Sequence, residues 1–480
     1  MNVSVVWFRD DLRVADNPAL LAATADGGAV ALYVLDEESE GIRPLGGAAK
    51  WWLHHALADL REELNALGIE LILRRGPGTY VVPELLTTLG ATAIYWNRRY
   101  GGPERAVDGA VKEWAQDQGL HAESFQASLL HEPWTVTTGA GNPYQVFTPF
   151  WRTVSGHDFR APLGTPDAGR GLSGRLPLSD APASDPLESW ALLPTSPDWA
   201  GGLRETWRPT AAAAQERLAD FLDGPVNDYS DARDRPDQRG TSGLSPYLRW
   251  GQISPFQVWA ALAESRKGGS AATGGVGEAT PGAKVFAAEL GWREFCWHQL
   301  FHHPDLATMN LRSQFDTFPW RTAESDDLAP EQLSAWQCGT TGIPLVDAGQ
   351  RELWHTGTMH NRVRMVVASF LIKNLGFDWR LGEQWFWDTL VDADAASNPA
   401  NWQWVAGSGA DAAPYFRIFN PVTQAKKFDP MARYVTAWVP EIATPEYPEP
   451  VVDLQESRRN ALADYASIKT PSIEAESTTS

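Results

Sequence analysis

Cysteine is nearly absent from this sequence of 480 residues, which holds only Cys296 and Cys338 and no C-x-x-C pair. The shortage excludes a disulfide framework and a metal site built from several thiolates, and it favours a reducing compartment. No run approaches the roughly 18 consecutive apolar residues of a membrane helix. Met1 to Arg13 include acidic residues where a signal peptide needs an apolar segment. We therefore expect an unprocessed cytoplasmic protein that does not enter a membrane.

Basic residues are also scarce, because 40 Lys and Arg stand against 60 Asp and Glu and give a net charge of -20. Taken alone, this charge argues against a nucleic-acid partner, since phosphate binding requires positive potential. The charge is uneven, however. Residues 351–436 hold nine Lys and Arg against eight Asp and Glu, a local net charge of +1. The sequence is therefore compatible with a local basic surface.

Several catalytic motifs are missing from the chain. No G-x-G-x-x-G follows a strand-like run, and neither a phosphate-binding P-loop nor a G-x-S-x-G elbow is present. His298 and His302 have the spacing that puts two imidazoles on one helix face, as in a metal site. They lack the Glu of the H-E-x-x-H motif and a third ligand. We therefore expect partly buried histidines and no metal.

Tryptophan, in contrast, is abundant, with 23 residues, 13 of them in the second half. A core does not need so many indoles, whereas indoles also stack on flat ligands and carry electrons. The composition, 43% hydrophobic and 21% charged, is typical of a globular protein. At roughly 150 residues per domain, the length suggests two or three domains.

The first part of the chain alternates strand-like and helix-like segments. Apolar runs at 3–8, 29–35, 70–73 and 92–96 are typical of strands, and leucines at helical steps between 53 and 67 indicate a helix. This alternation predicts an α/β domain with a doubly wound parallel sheet over residues 1–130. Residues 131–208, rich in Pro, Gly, Ser and Asp, are predicted to be an interdomain surface linker.

The second half is predicted to be a mostly α-helical domain over residues 209–440. Apolar residues at helical steps predict helices at 211–222, 255–264, 283–301, 348–375 and 382–391. The Gly- and Ala-rich segment 267–282 is predicted to be a mobile loop, and residues 441–480 a flexible tail.

Two segments of the second half combine polar groups with apolar or aromatic surroundings. Residues 240–251 place hydroxyls just before a helix predicted to begin near Ser245, where a helix cap and a phosphate site are both open interpretations. Arg362 and Arg364 enter a strongly apolar helix and need a carboxylate partner, for which Asp392 and Asp394 are candidates. Residues 401–421, dense in aromatic, amide and glycine residues, suit a flat heteroaromatic ligand.

Five segments spread across nearly the whole chain carry one further pattern: residues 6–18, 241–248, 289–295, 360–365 and 401–421. Together, and in this order, they resemble the motifs of the DNA photolyase/cryptochrome family. The resemblance implies an antenna-chromophore domain at the N-terminus, a helical FAD-binding domain at the C-terminus, and repair of UV-damaged DNA by blue light. Photolyases act on a nucleotide that is flipped out of the duplex.

By position, the resemblance implies a set of residues that bind FAD. This set consists of Tyr229, Thr241, Ser242, Gly243, Leu244, Ser245, Phe286, Asn361, Arg364, Asp392, Ala393, Asp394 and Asn398. Tyr229 and residues 241–245 match the phosphate and ribityl side. Asp392, paired by Arg364, and Asp394 match carboxylates near the isoalloxazine and adenine. Asn398 matches the amide that faces the flavin N5, where plant cryptochromes have Asp.

The resemblance also implies residues for the reaction and for DNA. Trp402, Trp379 and Trp320 match the relay that photoreduces the flavin, although three core indoles would be the default interpretation without the family pattern. Glu289 matches the carboxyl that hydrogen-bonds the dimer's bases. The other substrate positions are Arg233, Trp292, Asn361, Arg362, Met365, Trp404 and Gln424. Lys426 and Lys427 are either phosphate contacts or solvated surface charges.

Two positions favour one lesion over another. Family members that repair (6-4) photoproducts resemble this chain but carry His where it has Asn361 and Met365. The expected substrate is therefore a cyclobutane pyrimidine dimer, with a (6-4) enzyme or a cryptochrome-like photoreceptor as alternatives. The folate-binding members have Asn where Pro103 stands, so the antenna is left open between a deazaflavin, a methenyltetrahydrofolate and none. The family pattern implies a monomer.

Overall fold

The structure is a computed structural model, and it describes residues 3–25, 28–168, 183–268, 280–411 and 416–469. Five parallel strands form one sheet in the order β3-β2-β1-β4-β5. The strands are β1 (Val3–Phe8), β2 (Gly28–Leu35), β3 (Leu71–Arg75), β4 (Ala93–Asn97) and β5 (His121–Phe125). The four predicted strands and the predicted doubly wound α/β fold are confirmed.

The residues that the structure describes form nineteen α-helices. They are α1 (Pro18–Ala25), α2 (Gly47–Ala66), α3 (Gly78–Leu89), α4 (Gly102–Asp117), α5 (Phe147–Val154), α6 (Gly201–Thr206), α7 (Ala211–Leu222), α8 (Pro225–Ala232), α9 (Ser245–Arg249), α10 (Pro255–Gly268), α11 (Pro281–His302), α12 (Ala329–Cys338), α13 (Pro344–Thr356), α14 (Asn361–Ser369), α15 (Trp379–Thr389), α16 (Ser397–Ala406), α17 (Pro421–Phe428), α18 (Arg433–Trp438) and α19 (Leu454–Ser467). The helical second half is confirmed.

The sheet is buried on both faces. Successive side chains of a strand point to opposite faces, so Val6 and Phe8 join one apolar core while Val5 and Trp7 join the other. The chain runs from β1 outward to β3 and then returns to β4 beside β1. The carboxyl ends of β1 and β4 therefore form the switch point of the sheet, where open α/β sheets have a crevice.

The chain divides into two compact units, and this division does not follow the predicted linker. Unit 1 comprises Met1–Asp305, Glu352–Met359 and Trp385–Asn398; unit 2 comprises Leu306–Arg351, His360–Gln384 and Pro399–Ser480. The sheet and α1 to α11 belong to unit 1. The predicted surface linker needs correction, because it contains α5, whose Phe147, Phe150 and Val154 are buried. Residues 169–182 of the linker lie outside the described residues.

The predicted long helix over 348–375 is wrong in one respect. It is interrupted between α13 and α14 at Gly357, which has a φ of +68°. A Cβ at this position would stand 2.5 Å from Leu203 and 2.8 Å from Val391, so glycine is required by both backbone conformation and packing. After α14, residues Phe370–Asn374 form a π-helical turn.

The predicted flexible tail also needs correction. Asp453 caps the start of α19, its Oδ1 accepting from the backbone N–H groups of Gln455 and Glu456 at 2.8 and 2.7 Å. The Tyr465 ring of α19 stacks on Phe416 at 4.4 Å, and Ala461 is buried. These apolar contacts order the segment. Residues 470–480 lie outside the described residues, as does most of the predicted mobile loop, at 269–279.

Candidate functional site

The sequence-predicted site residues belong to both units. In unit 1, α11 carries Phe286, Glu289 and Trp292 at steps of three, which place them on one face of the helix. Phe286 is buried against Phe221 and Tyr229, with ring centroids 4.6 and 5.5 Å away. Tyr229 is thereby fixed, and burial raises the pKa of its hydroxyl. The structure therefore brings two predicted FAD residues, Tyr229 and Phe286, into contact.

Glu289 and Arg233 bind each other. Arg233, just after α8, donates from its Nη1 to Oε1 of Glu289, and the two side chains are 24% and 28% exposed. Burial raises the pKa of Glu289, although Arg233 opposes the shift. The sequence assigned both residues to DNA but did not predict that they pair, because they lie 56 positions apart. The carboxylate is oriented and remains partly accessible.

Trp292 is held by a residue that the sequence interpretation missed. Its ring stacks on Phe147 of α5, with centroids 3.7 Å apart and planes 9° from parallel. The preceding residue, Gly291, lets α5 approach α11 closely, since a Cβ there would stand 2.3 Å from the Trp151 ring of α5. A signal for α5 existed: Phe147, Phe150, Trp151 and Val154 recur at helical steps. It was overlooked because the surrounding residues, 131–208, are rich in Pro, Gly, Ser and Asp, which is typical of a linker.

The turn before α9 has the donor chemistry of a phosphate site. Thr241, Ser242 and Ser245 supply three hydroxyls, and Gly243 has a φ of +63°. A Cβ on Gly243 would stand 2.7 Å from Nη1 of Arg217, so the glycine leaves room beside a guanidinium. Arg217 was missed, because nothing in the sequence distinguishes it from an ordinary helix arginine. Hydroxyls and a guanidinium fit the phosphates of FAD.

The other predicted FAD residues of unit 1 follow α15. Asp392, Ala393, Asp394 and Asn398 are all buried. Oδ2 of Asp392 accepts from Ser245 Oγ at 2.6 Å, which joins the two predicted halves of the cofactor site. Oδ1 of Asp394 accepts from the N–H groups of Ala396 and Ser397 at 2.8 and 2.5 Å. Asp394 thus also caps the start of α16.

In unit 2, the three relay tryptophans occupy different surroundings. Trp402 is buried against α15, where a Cβ on Gly382 would stand 2.1 Å from its ring. Trp379 is fully buried and donates from Nε1 to Asn310 Oδ1 at 3.0 Å. Trp320 is partly exposed and donates to the carbonyl of Phe315 at 3.2 Å.

Another indole, Trp336, was not singled out from the sequence. Its ring centroid lies 6.3 Å from that of Trp402, at 71° between planes, and its Nε1 donates to Val367 O at 3.1 Å. Trp336 is completely buried. A buried helix tryptophan carries no sequence signal that separates an electron carrier from a core residue.

The predicted DNA residues of unit 2 lie on α14, α16 and α17. His360 caps α14, with Nδ1 accepting from Arg362 N at 3.3 Å. The Arg362 guanidinium donates to Met365 Sδ at 3.8 Å and lies 4.5 Å from the Phe428 ring. On α14, Asn361 is exposed and Arg364 is half-buried. Arg362 is thus held by two contacts within unit 2.

Trp404 and α17 complete this group. The Arg417 guanidinium lies 5.5 Å from the Trp404 ring, and Phe419 lies 6.4 Å from it. Gln424 is half-buried, and its Oε1 accepts no hydrogen bond from the described residues. Lys426 and Lys427 are exposed. The Trp404 ring can stack on a base, and the Gln424 amide and the two lysines can donate hydrogen bonds to DNA.

His298, which the sequence raised as a metal candidate, has another role in unit 1. Its Nε2 accepts from the backbone N–H of Tyr144 at 3.1 Å, and burial lowers its pKa to about 3. The ring is therefore neutral at physiological pH. Across the described ranges, no group of three or more His, Cys, Asp and Glu residues is arranged to hold a metal ion. In the same ranges, no helix has the length and apolar character needed to cross a membrane.

Comparison with known proteins gives concordant matches. Residues 4–167 match the family described as DNA photolyase, and residues 286–446 match the FAD binding domain of DNA photolyase. The chain is 46% identical to a deoxyribodipyrimidine photo-lyase of Agrobacterium fabrum, over 97% of this chain and 98% of that protein. It is 35% identical to cryptochrome-1 of Arabidopsis thaliana, over 92% of this chain and 63% of that protein.

A solved structure is similar as well. A bacterial class III photolyase from Agrobacterium tumefaciens superimposes with a TM-score of 0.88 at 45% identity, covering 98% of each chain. The resemblance predicted from the five motifs is thereby confirmed. The chain belongs to the DNA photolyase family.

Proposed function

We propose that this protein is a deoxyribodipyrimidine photo-lyase, which repairs cyclobutane pyrimidine dimers in UV-damaged DNA with light and FAD. The observation that carries the proposal is the Glu289 carboxylate, which is partly accessible and is oriented by Arg233. Glu289 lies on α11, three residues before Trp292. A carboxyl and an indole on one helix face suit a flipped dinucleotide, with polar base edges and flat faces. Similarity to a photo-lyase over 97% of the chain supports the same function.

The residues of unit 1 fit FAD at both ends of the cofactor. Hydroxyls of Thr241 and Ser242 donate to the phosphates, whereas Ser245, whose proton goes to Asp392, offers its oxygen as an acceptor to the ribityl chain. The buried carboxylates of Asp392 and Asp394 bind the other polar edges. When bound and reduced, FAD supplies the photoexcited electron that splits the cyclobutane ring and that returns afterwards. Asn398 offers a neutral amide to the flavin. The remaining proposed FAD contacts of unit 1 are Tyr229, Gly243, Leu244, Phe286 and Ala393, and those of unit 2 are Asn361 and Arg364.

On the substrate side, chain residues orient and bind the dimer. Glu289 hydrogen-bonds the bases, Arg233 keeps its carboxylate in place, and Trp292 and Trp404 pack against the rings. Asn361, Arg362, Met365 and Gln424 contact DNA, with Lys426 and Lys427 as additional phosphate contacts. Trp402, Trp379 and Trp320 would conduct electrons from a reductant in solution to the oxidised cofactor. Asn361 and Met365, where (6-4) enzymes resembling this chain carry His, favour the cyclobutane dimer.

The proposal also covers the arrangement and setting of the enzyme. Residues 1–130 form the antenna domain, whose chromophore is a deazaflavin, a methenyltetrahydrofolate or none, and residues 209–440 carry FAD and the DNA surface. Open α/β sheets bind ligands at the switch point, which here lies beyond β1 and β4. We further propose a monomer that acts in the cytoplasm, where its two free cysteines stay reduced.

The test is loss of cyclobutane dimers from UV-irradiated oligo(dT), mixed with the reduced, FAD-loaded protein under blue light and in the dark. Repair in the light alone is the expected result. Absence of repair by protein that holds reduced FAD would contradict the proposal and favour the second candidate, a photoreceptor, which the similarity to cryptochrome-1 supports. A parallel (6-4) photoproduct substrate tests the lesion assignment.

A further inference from the structure

One short segment of unit 1 holds the backbone around Asp392 by three side-chain donors. Ser245 Oγ donates to the Asp392 carboxylate at 2.6 Å. Trp250 Nε1 donates to the carbonyl of Val391 at 3.1 Å, and Arg249 Nε donates to the carbonyl of Ala393 at 2.9 Å. The donors lie within six consecutive positions of the chain, 245–250. Residues 391, 392 and 393 are therefore each bonded to the same short segment.

Arg249 also contacts two groups outside the segment 391–393, the Asp10 carboxylate and the Trp250 ring. Its Nη1 donates to Asp10 Oδ1 at 2.6 Å, just beyond the carboxyl end of β1, and its guanidinium lies 4.4 Å from the Trp250 ring. The Arg249 side chain is 10% exposed. Only a guanidinium offers several donors in a planar fork that binds a carboxylate and a carbonyl at once. Lysine, with one nitrogen, does not reproduce this geometry.

The charges around Arg249 favour its ionised form. Burial acts to lower the pKa of Arg249, but Asp10, and more weakly Asp394, outweigh burial and raise it. Burial likewise acts to raise the pKa of Asp10, and Arg249 outweighs it, so the pKa of Asp10 is lowered. Both groups therefore stay charged at neutral pH. The fixed cation lies between Asp10 and the segment that carries Asp392 and Asp394.

We propose that Arg249 is a positioning residue of the FAD site: it fixes the backbone between Asp392 and Asp394, and Asp10 orients its guanidinium. The inference rests on the proposed function, which gives those two carboxylates their role toward FAD. Without Arg249, the carbonyl of Ala393 loses a donor and the segment 391–394 gains conformational freedom. FAD must then order this segment when it binds, which weakens binding because ordering costs free energy.

The experiment compares Arg249→Met with a matched control, Arg98→Met. Arg98 also binds one carboxylate and one carbonyl, through Nε to Glu132 Oε1 at 3.1 Å and through Nη1 to the Ser124 carbonyl, but both partners lie elsewhere in unit 1. Two quantities are measured on the full-length protein: the Kd of FAD, by titration into the apoprotein, and the Tm with and without FAD.

For Arg249→Met we expect the Kd of FAD to rise at least tenfold. FAD should also raise the Tm of this variant by less than it raises that of the wild type. Without FAD, the Tm of Arg249→Met should be similar to that of Arg98→Met. Arg98→Met keeps the wild-type Kd. Equal Kd values for the two variants would overturn the proposal and leave Arg249 a structural residue. If the wild-type apoprotein itself does not bind FAD, the proposed function fails instead.

Two milder variants keep the proposal testable if Arg249→Met does not fold. Arg249→Lys retains the charge but not the fork, and Asp10→Asn leaves the bond to Ala393 while it removes the orienting carboxylate. We expect each to raise the Kd of FAD about threefold or more. Wild-type Kd values in both folded variants would overturn the positioning role.

Discussion

At the scale of single residues, Glu289 shows how a partner 56 positions away decides what a side chain does. Burial raises its pKa, whereas Arg233 favours the charged form. The carboxylate is therefore held in one orientation while 28% of the side chain stays exposed. A surface carboxylate without such a partner would rotate freely and would be a poor ligand for a base edge.

Glu289→Gln tests this residue. Because glutamine keeps the size but loses the charge and the pair with Arg233, we expect unchanged FAD content and a repair yield per absorbed photon lowered several-fold. The measurement is dimer loss per photon with reduced enzyme, at a saturating DNA concentration. Unchanged yield would refute the assignment of this carboxyl to the dimer.

Trp402→Phe tests the relay in the same way. Phenylalanine fills most of the space beside Gly382 but is much harder to oxidise, so photoreduction of oxidised FAD should stop while chemically reduced enzyme still repairs DNA. Trp336→Phe, at the neighbouring buried ring, is the matched control and should be photoreduced normally. Normal photoreduction of Trp402→Phe would rule out the relay as proposed.

At the scale of elements, helices position the side chains of the site, and helix caps and helix packing hold them in place. Asp394 caps α16 as well as serving the proposed cofactor site, and α5 packs through Phe147 on Trp292. The element that differs most from expectation is α19, which was predicted to be a flexible tail. Its cap at Asp453 and the stack of Tyr465 on Phe416 supply the order that its polar composition conceals.

Asp453→Ala should loosen α19. The substitution removes an acceptor for two backbone N–H groups and so destabilises the first turn of the helix. We expect faster amide hydrogen exchange over residues 454–467 and little change in the rest of unit 2. Gln455→Ala, in the same turn, keeps the cap and serves as the control. Exchange as slow as in the wild type would show that α19 does not depend on its cap.

On α2, Glu63 should make stability depend on pH. Burial, with a smaller contribution from Asp59, raises the pKa of Glu63 to about 7, and its Oε2 has no hydrogen-bond partner within the described part of the chain. The folded protein thus binds this proton more tightly than the unfolded chain. The stabilisation that comes from protonated Glu63 is fully present below about pH 4.5 and is lost as the pH rises through about 7.

Glu63→Gln removes this dependence. Between pH 5 and pH 8 the free energy of unfolding should fall by about 1 kcal/mol less in this variant than in the wild type. The figure allows for solvent screening at this partly exposed site. Tm values at both pH values measure it. Glu62→Gln, at the exposed neighbour, should leave the dependence unchanged. An identical pH dependence in Glu63→Gln and the wild type would contradict the shifted pKa.

At the scale of the whole molecule, a net charge of -20 has to be reconciled with a DNA substrate. The proposed DNA residues are few, and most lie within residues 351–436, where the net charge is +1. Binding is therefore expected to use a small number of phosphate contacts and to depend on the flipped dimer. Undamaged DNA, which offers the phosphates alone, should bind weakly.

Salt should weaken the binding only moderately. If about two contacts to phosphates, those of Lys426 and Lys427, set the salt dependence, the Kd for UV-irradiated duplex DNA should rise about tenfold between 50 and 200 mM salt. The measurement is a fluorescence anisotropy titration at several salt concentrations, with undamaged duplex as the control. A rise of a thousandfold or more would indicate a far larger phosphate interface than the proposed residues provide.

The sequence by itself determined four of the five strands, eight of the nineteen helices and the family. These follow from local periodicity, because apolar residues two or three to four positions apart mark the buried face of a strand or helix. It also determined which residues are candidates for FAD and DNA, since the motifs occupy short continuous stretches.

Tertiary structure alone decided which of those residues meet and what holds them. Glu289 pairs with Arg233, Trp292 stacks on Phe147, and Arg249 joins Asp10 to Ala393. Each of these contacts joins positions far apart in the chain, and no periodicity records such a pairing. The order of α19 was likewise decided by tertiary contacts, because the Tyr465 ring gains its partner only when the chain folds.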